Sequence, residues 1–488
     1  MVRVHNLSYQ YKDSDTRTLH NISFSVKQGE LAVLAGRSGC GKSTIFRCVN
    51  GLCPDFYEGK KEGSVFLKGQ ENKALRICDI SRIVASVFQN PESQFFTTDV
   101  LSDLVYACEN YSVSKEEIAK QLDRVISTLS LSPLIGRKLS ELSAGEKQKV
   151  AVASALMLKA DVLLLDEPSS NLDYQSIELL KETLENLKSK GYTILVIEHR
   201  LYYLADICDK LIVLNHGKII YTYEGEGLRT VSDTELHHQG LRGLRLFQNP
   251  IRKGNPQRDT KPILFLDNII FGYKKNIHIL NKIHFSIYPG DRIALIGKNG
   301  CGKTTLGKII CGLLKEQKGS VRCAEKILSP VERNRSVSYV MQNIDFQLFG
   351  CSVYDDLLLG NETKPNIEKS IRDVLSLIHL SDLETQHPTT LSMGQKQRLV
   401  VAASYLLNKK INVFDEPTSG LDYENMKSIC NLIEAITGKE GAAIVITHDY
   451  EFIVSLCNRI ILLENGKIVN DFILSDTTEL EHIFQKHL

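Results

Sequence analysis

GRSGCGKST (residues 36–44) recurs as GKNGCGKTT (residues 297–305), each copy at the end of a short apolar run, LAVLAG or RIALIG. Both copies fit Gly-x-x-x-x-Gly-Lys-[Ser/Thr], the pattern of a phosphate-binding loop. Phosphate binding needs glycines so that successive backbone N–H groups can converge on anionic oxygens, and the helix that follows adds its positive end. The candidate ATP-binding residues are therefore Gly36, Ser38, Gly39, Cys40, Gly41, Lys42, Ser43 and Thr44. Their counterparts are Gly297, Asn299, Gly300, Cys301, Gly302, Lys303, Thr304 and Thr305. Lys42 or Lys303 is expected to reach the β- and γ-phosphates, and Ser43 or Thr304 to ligate Mg²⁺.

Reading outward, other stretches are doubled too. LSAGEKQ (residues 142–148) returns as LSMGQKQ (391–397), and LLLDEPSSNLD (163–173) as NVFDEPTSGLD (412–422). Ser143 and Ser392, Asp166 and Asp415, and His199 and His448 are each separated by 249 positions, whereas Gln89 and Gln342 differ by 253 and Gly36 and Gly297 by 261. Only small insertions separate the copies, which points to duplication of a whole domain and excludes a solenoid of short repeats. The expected division is a first domain at 1–247, a linker at 248–262 and a second domain at 263–488. The stretch FQNPIRKGNPQRDTKP (247–262) has Pro, Asn, Gly and basic residues without apolar periodicity, as a solvated linker should. Apolar runs alternating with helix-like stretches such as SIELLKETLENLKSK imply an α/β fold with ligand-binding loops at strand ends. LIVLNHGKII (211–220) and IILLENGKIV (460–469) read as hairpins, the second with an Asn-Gly turn.

Bulk properties narrow the class. The 488 residues include 59 basic and 58 acidic side chains, a balance that gives no reason to expect a nucleic-acid partner. No apolar run approaches the ~18 residues of a membrane-spanning helix, and MVRVHNLSYQYKDSD at the N-terminus has no signal-peptide core. The 12 cysteines show no CxxC pair or zinc spacing, so reduced, mostly buried thiols are expected. Cys40 and Cys301 sit next to a helix N-terminus that should lower a thiol pKa; the plain reading is a small residue tolerated in the loop, and the sharper hypothesis is that alkylation there blocks ATP binding.

Chemistry beyond the phosphate loop comes from two further motifs. Asp166-Glu167 and Asp415-Glu416 end apolar runs; the aspartate should hold Mg²⁺ and the glutamate polarise the attacking water. Ser143 with Glu146, and Ser392 with Gln395, fit a capping box at a helix start, whose open N–H groups, with Gly145 or Gly394, could face a γ-phosphate. LSAGE and LSMGQ, lying between phosphate loop and acidic strand, resemble the signature motif of ATP-binding-cassette proteins. Both depart from its commonest form, LSGGQ, with Ala144 and Met393 at the middle position.

The resemblance covers nearly the whole chain and carries further expectations. The fold would be two P-loop nucleotide-binding domains in tandem, each a RecA-like core with antiparallel β and helical subdomains. Gln89 and Gln342 match the glutamine that touches Mg²⁺ and water, and His199 and His448 the histidine that contacts the γ-phosphate. Asp173 and Asp422 match an inter-module aspartate, and Tyr11 and Tyr273 the aromatic that stacks on adenine. In the family two modules close head to tail over two nucleotides. Lys42, Glu167 and His199 would then work with Ser392 and Gly394, and Lys303, Glu416 and His448 with Ser143 and Gly145. Neither half lacks a catalytic residue, so two hydrolytically competent sites are expected.

The segments FQNPESQFFTTDVLSDLVYACEN (88–110) and MQNIDFQLFGCSVYDDLLLG (341–360) are more particular. They resemble the ATPase subunits of energy-coupling-factor transporters, importers of vitamins and metal ions, although the second lacks the proline. The resemblance implies a chain peripheral to the cytoplasmic face of the cell membrane, bound to a membrane scaffold subunit and through it to a substrate-binding membrane subunit. Glu92 and Asp345 match the acids that meet the scaffold's arginines. Two other readings remain: the fused ATPase of a sugar-type importer, and a tandem cassette protein acting on ribosomes. The short, proline-punctuated linker argues against the latter.

Overall fold

Strands such as Leu31–Gly36 and Thr193–Ile197 are buried along their whole length, as continuous apolar runs require when a parallel sheet is covered on both faces. The computed structural model describes residues 1–248, 251, 261–274, 277–486 and 488, so the expected linker falls largely outside the described residues. The chain divides into two units, Met1–Arg245 and Leu246–Leu488, and the two share one topology.

In the first unit a six-stranded sheet has the order Lys218–Glu224, Lys210–Asn215, Leu31–Gly36, Thr193–Ile197, Val162–Asp166, Val84–Val87. Every neighbouring pair is parallel except the first. Val33 sits level with Val196 on one side and Leu211 on the other. Alternate side chains of Leu31–Gly36 leave by opposite faces. Leu31, Val33 and Ala35 join a core with Leu104, Val150 and Leu184; Ala32 and Leu34 join another with Ile45, Phe46 and Val49. The second unit repeats the sheet with Arg292–Ile296 between Ala442–Ile446 and Arg459–Glu464.

Each unit adds a four-stranded antiparallel sheet. In the first its order is Leu19–Val26, Val2–Tyr11, Gly59–Leu67, Gln70–Glu71. A helical portion follows the strand-end glutamine: Val100–Asn110, Lys115–Leu129 and Ala144–Leu156 in one unit, Val353–Leu358, Ile367–Leu377 and Met393–Leu407 in the other. Lys115–Leu129 shows why these segments are helices. Ser114 caps it by accepting from the Glu117 N–H, and Ile118, Leu122, Val125 and Leu129 recur at helical spacing toward the core. Both hairpins form. Their two-residue turns place His216 (φ 44°) with Gly217 (φ 72°), and Asn465 (φ 46°) with Gly466 (φ 73°), the paired positive φ that a tight antiparallel turn demands. Among the described residues no helix is long and apolar enough to cross a membrane.

Candidate functional site

In each unit the parallel strands deliver the phosphate loop, the acidic pair, the glutamine and the histidine to the C-terminal end of the six-stranded sheet. The phosphate loops follow Leu31–Gly36 and Arg292–Ile296, and the helices Lys42–Val49 and Lys303–Ile310 begin at their lysines. Glycine is dictated by space at the loop's first position. A Cβ on Gly36 would lie 2.3 Å from the Leu214 carbonyl oxygen, and one on Gly297 2.2 Å from that of Leu463. Lys42 Nζ donates to the carbonyls of Gly36 (2.8 Å) and Arg37 (3.0 Å); Lys303 Nζ does the same to Gly297 (2.5 Å) and Lys298 (3.0 Å). Both lysines are 6% exposed, so each ammonium is held buried by loop carbonyls at the start of a helix, whose N-terminal end favours anions. A cavity of about 760 Å³ opens beside the second loop, lined among others by Lys298, Asn299, Gly300 and Cys301.

One strand further on, beyond Thr193–Ile197 and Ala442–Ile446, Val162–Asp166 and Ile411–Asp415 end on the carboxylates. Thr304 Oγ1 donates to Asp415 Oδ2 at 2.8 Å. Glu167 (φ 45°) and Glu416 (φ 50°) both adopt the left-handed conformation, which for a glutamate costs energy and marks a functional constraint. That turn swings each glutamate toward the neighbouring strand ends. Gln89 Nε2 donates to Glu167 Oε2 at 2.7 Å, and His199 Nε2 lies 3.4 Å from Glu167 Oε1. In the second unit His448 Nε2 is 3.7 Å from Glu416 Oε1 and 3.1 Å from Asn299 Oδ1 of the phosphate loop. Gln342 follows Val337–Val340 as Gln89 follows Val84–Val87, but it is exposed and its side chain makes no hydrogen bond to the described residues.

Burial, then the charge of Glu167, pushes the Asp166 carboxyl up to about 7, with Lys42 opposing. Burial also raises Asp415, against the hydrogen bonds from Thr304 and Tyr339. The native Asp166 thus keeps its proton up to about pH 7, whereas an unfolded aspartate loses it near pH ~4. Folding stability contributed at this site is full below that interval and falls as pH rises through it. Replacing Asp166 with Asn should therefore raise the melting temperature of the nucleotide-free protein at pH 8 by several degrees, on the order of 2 kcal/mol. At pH 5 the change should be small. Thermal unfolding of both proteins at the two pH values checks this.

Tyr11 and Tyr273 lie beside their phosphate helices. The Tyr11 hydroxyl meets Thr44 Oγ1 at 3.0 Å and accepts from Arg47 at 2.9 Å; Tyr273 meets Thr305 Oγ1 at 3.4 Å and is 59% exposed. A cavity of about 550 Å³ borders Tyr11, Pro54 and Glu58, so a planar base has room there. The signature serines cap Ala144–Leu156 and Met393–Leu407 in the expected boxes: the Ser143 N–H donates to Glu146 at 2.7 Å and the Ser392 N–H to Gln395 at 2.8 Å. Gly145 admits the next helix, since a Cβ there would lie 2.6 Å from Ser176 Oγ. Asp173 and Asp422 cap the helices Tyr174–Ser189 and Tyr423–Thr437 through the N–H groups of Ser176 and Asn425.

The cysteine expectation needs correction. Burial pushes the Cys301 thiol up, and Lys303 offsets this only in part, so the helix N-terminus does not activate it. Cys40 is only 5% exposed. A maleimide should react first with exposed Cys323 and Cys351, and ATPase loss should lag behind that labelling. Mass-spectrometric mapping of adducts against residual activity checks the order.

Glu92 and Asp345 stand on one-turn helices, Pro91–Gln94 and Ile344–Gln347, at the surface. Each already pairs with the lysine of its own signature motif: Glu92 with Lys147 at 2.5 Å, Asp345 with Lys396 at 2.8 Å. The sequence reading also missed the acids that fix the histidine loops. Glu198, 2% exposed, accepts from the His199 N–H (2.7 Å), the Ser169 N–H (3.2 Å) and Tyr203 Oη (2.8 Å). In the second unit Asp449 does this from the far side of its histidine, accepting from Thr418 Oγ1 at 3.0 Å and the Phe452 N–H at 3.3 Å. The acid before one histidine and after the other was the available signal.

Comparison with known proteins agrees with this duplicated site. The family model described as ABC transporter matches residues 19–170 and 280–419. A Treponema denticola protein named for ABC transporter ATP binding is 61% identical over all of both chains. The Bacillus subtilis protein YkoD, named for HMP/thiamine import, is 30% identical over 96% of this chain and 91% of its own. Among solved structures, the archaeal ABCE1 of a ribosome-bound assembly with Pelota superposes with a TM-score of 0.70 at 23% identity, covering 96% of this chain and 78% of that one. That last likeness is one of tandem fold.

Proposed function

The chain belongs to the ABC transporter family, and from that premise we propose that it powers an energy-coupling-factor-type importer of a vitamin or metal ion through a membrane scaffold subunit. ATP binding and hydrolysis are the activity it shares with the family. The observation that carries the finer reading is the surface after the strand-end glutamine. In both units it carries an acid and, four residues on, an exposed aromatic ring: Glu92 with Phe96 at 72% exposure, and Asp345 with Phe349 at 75%. Exposed rings next to charge mark a partner surface. The thiamine-import relative supports the vitamin class.

In the proposed cycle Lys42 and Lys303 hold the terminal phosphates against the loop amides. Glu167 and Glu416 orient the attacking water and draw off its proton, and His199 and His448 contact the γ-phosphate from the adjacent strand end. Gln89, bonded to Glu167, links the reacting centre to the partner surface. The oxygen donors of Ser43 with Asp166, and Thr304 with Asp415, suit a small hard cation, and Mg²⁺ bound there would neutralise phosphate charge. Ser392 with Gly394, and Ser143 with Gly145, serve the nucleotide of the opposite module, and Asp173 and Asp422 the contact between modules. Closure and reopening of the modules then move the scaffold.

Surface ion pairs such as Glu92–Lys147 are weak, so a scaffold arginine can replace the lysine at small cost. Reversing both acids, Glu92→Lys with Asp345→Lys, should prevent co-purification of any membrane subunit and leave ATP binding unchanged. Retention of the membrane subunit by that double variant would remove the energy-coupling-factor reading.

A further inference from the structure

Among the differences between the two catalytic centres, one lies beside the metal-side aspartate, outside the duplicated motifs. Tyr339 Oη donates to Asp415 Oδ2 at 2.8 Å, on the same oxygen that takes the Thr304 hydroxyl at 2.8 Å. Tyr339 is the third residue of Val337–Val340, and the third residue of the matching strand Val84–Val87 is Ser86. Ser86 Oγ is met instead by Asn50 Nδ2 at 3.5 Å, and no side chain among the described residues donates to the Asp166 carboxylate.

The difference is built into the packing. The Tyr339 ring lies against the phosphate helix at Gly307, where an added Cβ would sit 3.1 Å from its Cε2. The matching helix position in the first unit is Phe46, 1% exposed. Large and small residues have changed places, Gly307 with Tyr339 against Phe46 with Ser86, so neither centre can take the other's arrangement by a single substitution.

We propose that Tyr339 is a positioning residue that fixes the Asp415 carboxylate for the metal of the second site, making the two ATP sites of this chain unequal in metal affinity. With Oδ2 held from two directions, the carboxylate is already ordered, and its other oxygen is left for the cation or a water on it. Partners that orient a metal-binding carboxylate typically contribute ten- to a hundredfold in metal affinity. The Asp166 carboxylate must be ordered when the metal binds. This inference rests on the assignment of Asp415 as a metal-holding residue.

Mn²⁺ titration followed by electron paramagnetic resonance tests it, on the full chain with saturating ATP and with hydrolysis blocked by Glu167→Gln and Glu416→Gln. Two affinity classes are expected. Tyr339→Phe, which keeps the ring, should weaken the tighter class about tenfold, leaving the weaker class and the affinity for ATP in EDTA unchanged. Ser86→Ala should alter neither class. Unchanged classes in Tyr339→Phe would overturn the proposal, as would an equal loss of metal-free ATP binding, the mark of a packing role alone. If Asp415→Asn also left both classes intact, the metal assignment itself would fall, and the inference with it.

Discussion

Replacing Glu167 and Glu416 together with glutamine should lower ATP turnover by about a thousandfold while ATP still binds. Glutamine matches glutamate in size, so the left-handed backbone at these positions, φ 45° and 50°, faces no new steric demand. What disappears is the carboxylate proposed to take the proton from the attacking water. Each single variant should retain some turnover only to the extent that its untouched site works alone. A residual rate near wild type in the double variant would mean that the strand-end glutamates are not the proton acceptors.

Replacing Lys42 and Lys303 with alanine should weaken ATP binding by at least about a hundredfold, roughly 2.7 kcal/mol per site. The two ammonium groups are buried and fixed by loop carbonyls, so their positive charge is concentrated at the proposed phosphate site. Loss of the ATP-induced rise in melting temperature, which reports binding through mass action, would be the readout. The ligand-free melting temperature shows separately whether the loops survive the cut. Full ATP stabilisation of the double variant would mean the nucleotide sits elsewhere.

The groups legible in the sequence are those whose spacing is local. A glycine-rich loop between apolar strand and helix, an aspartate at a strand end, and Ser143 three residues before Glu146 each declare their geometry within one turn or strand. Contacts set by strand order were not legible. Tyr339 and Asp415 are 76 positions apart and Glu92 and Lys147 are 55 apart; they meet only because their strands are neighbours or because the helix Ala144–Leu156 packs on the segment after Gln89. The left-handed glutamates were equally hidden, since glutamate itself has no preference for that conformation. The thiol expectation failed because a helix terminus was weighed without burial, which dominates at Cys301.

The most direct test of the account is affinity purification of the chain from its native membrane, with mass spectrometry of what accompanies it. A multi-span scaffold protein with one or more small apolar membrane subunits is the predicted result, and those subunits would identify the cargo. Recovery of ribosomes with no membrane protein would contradict the transport reading.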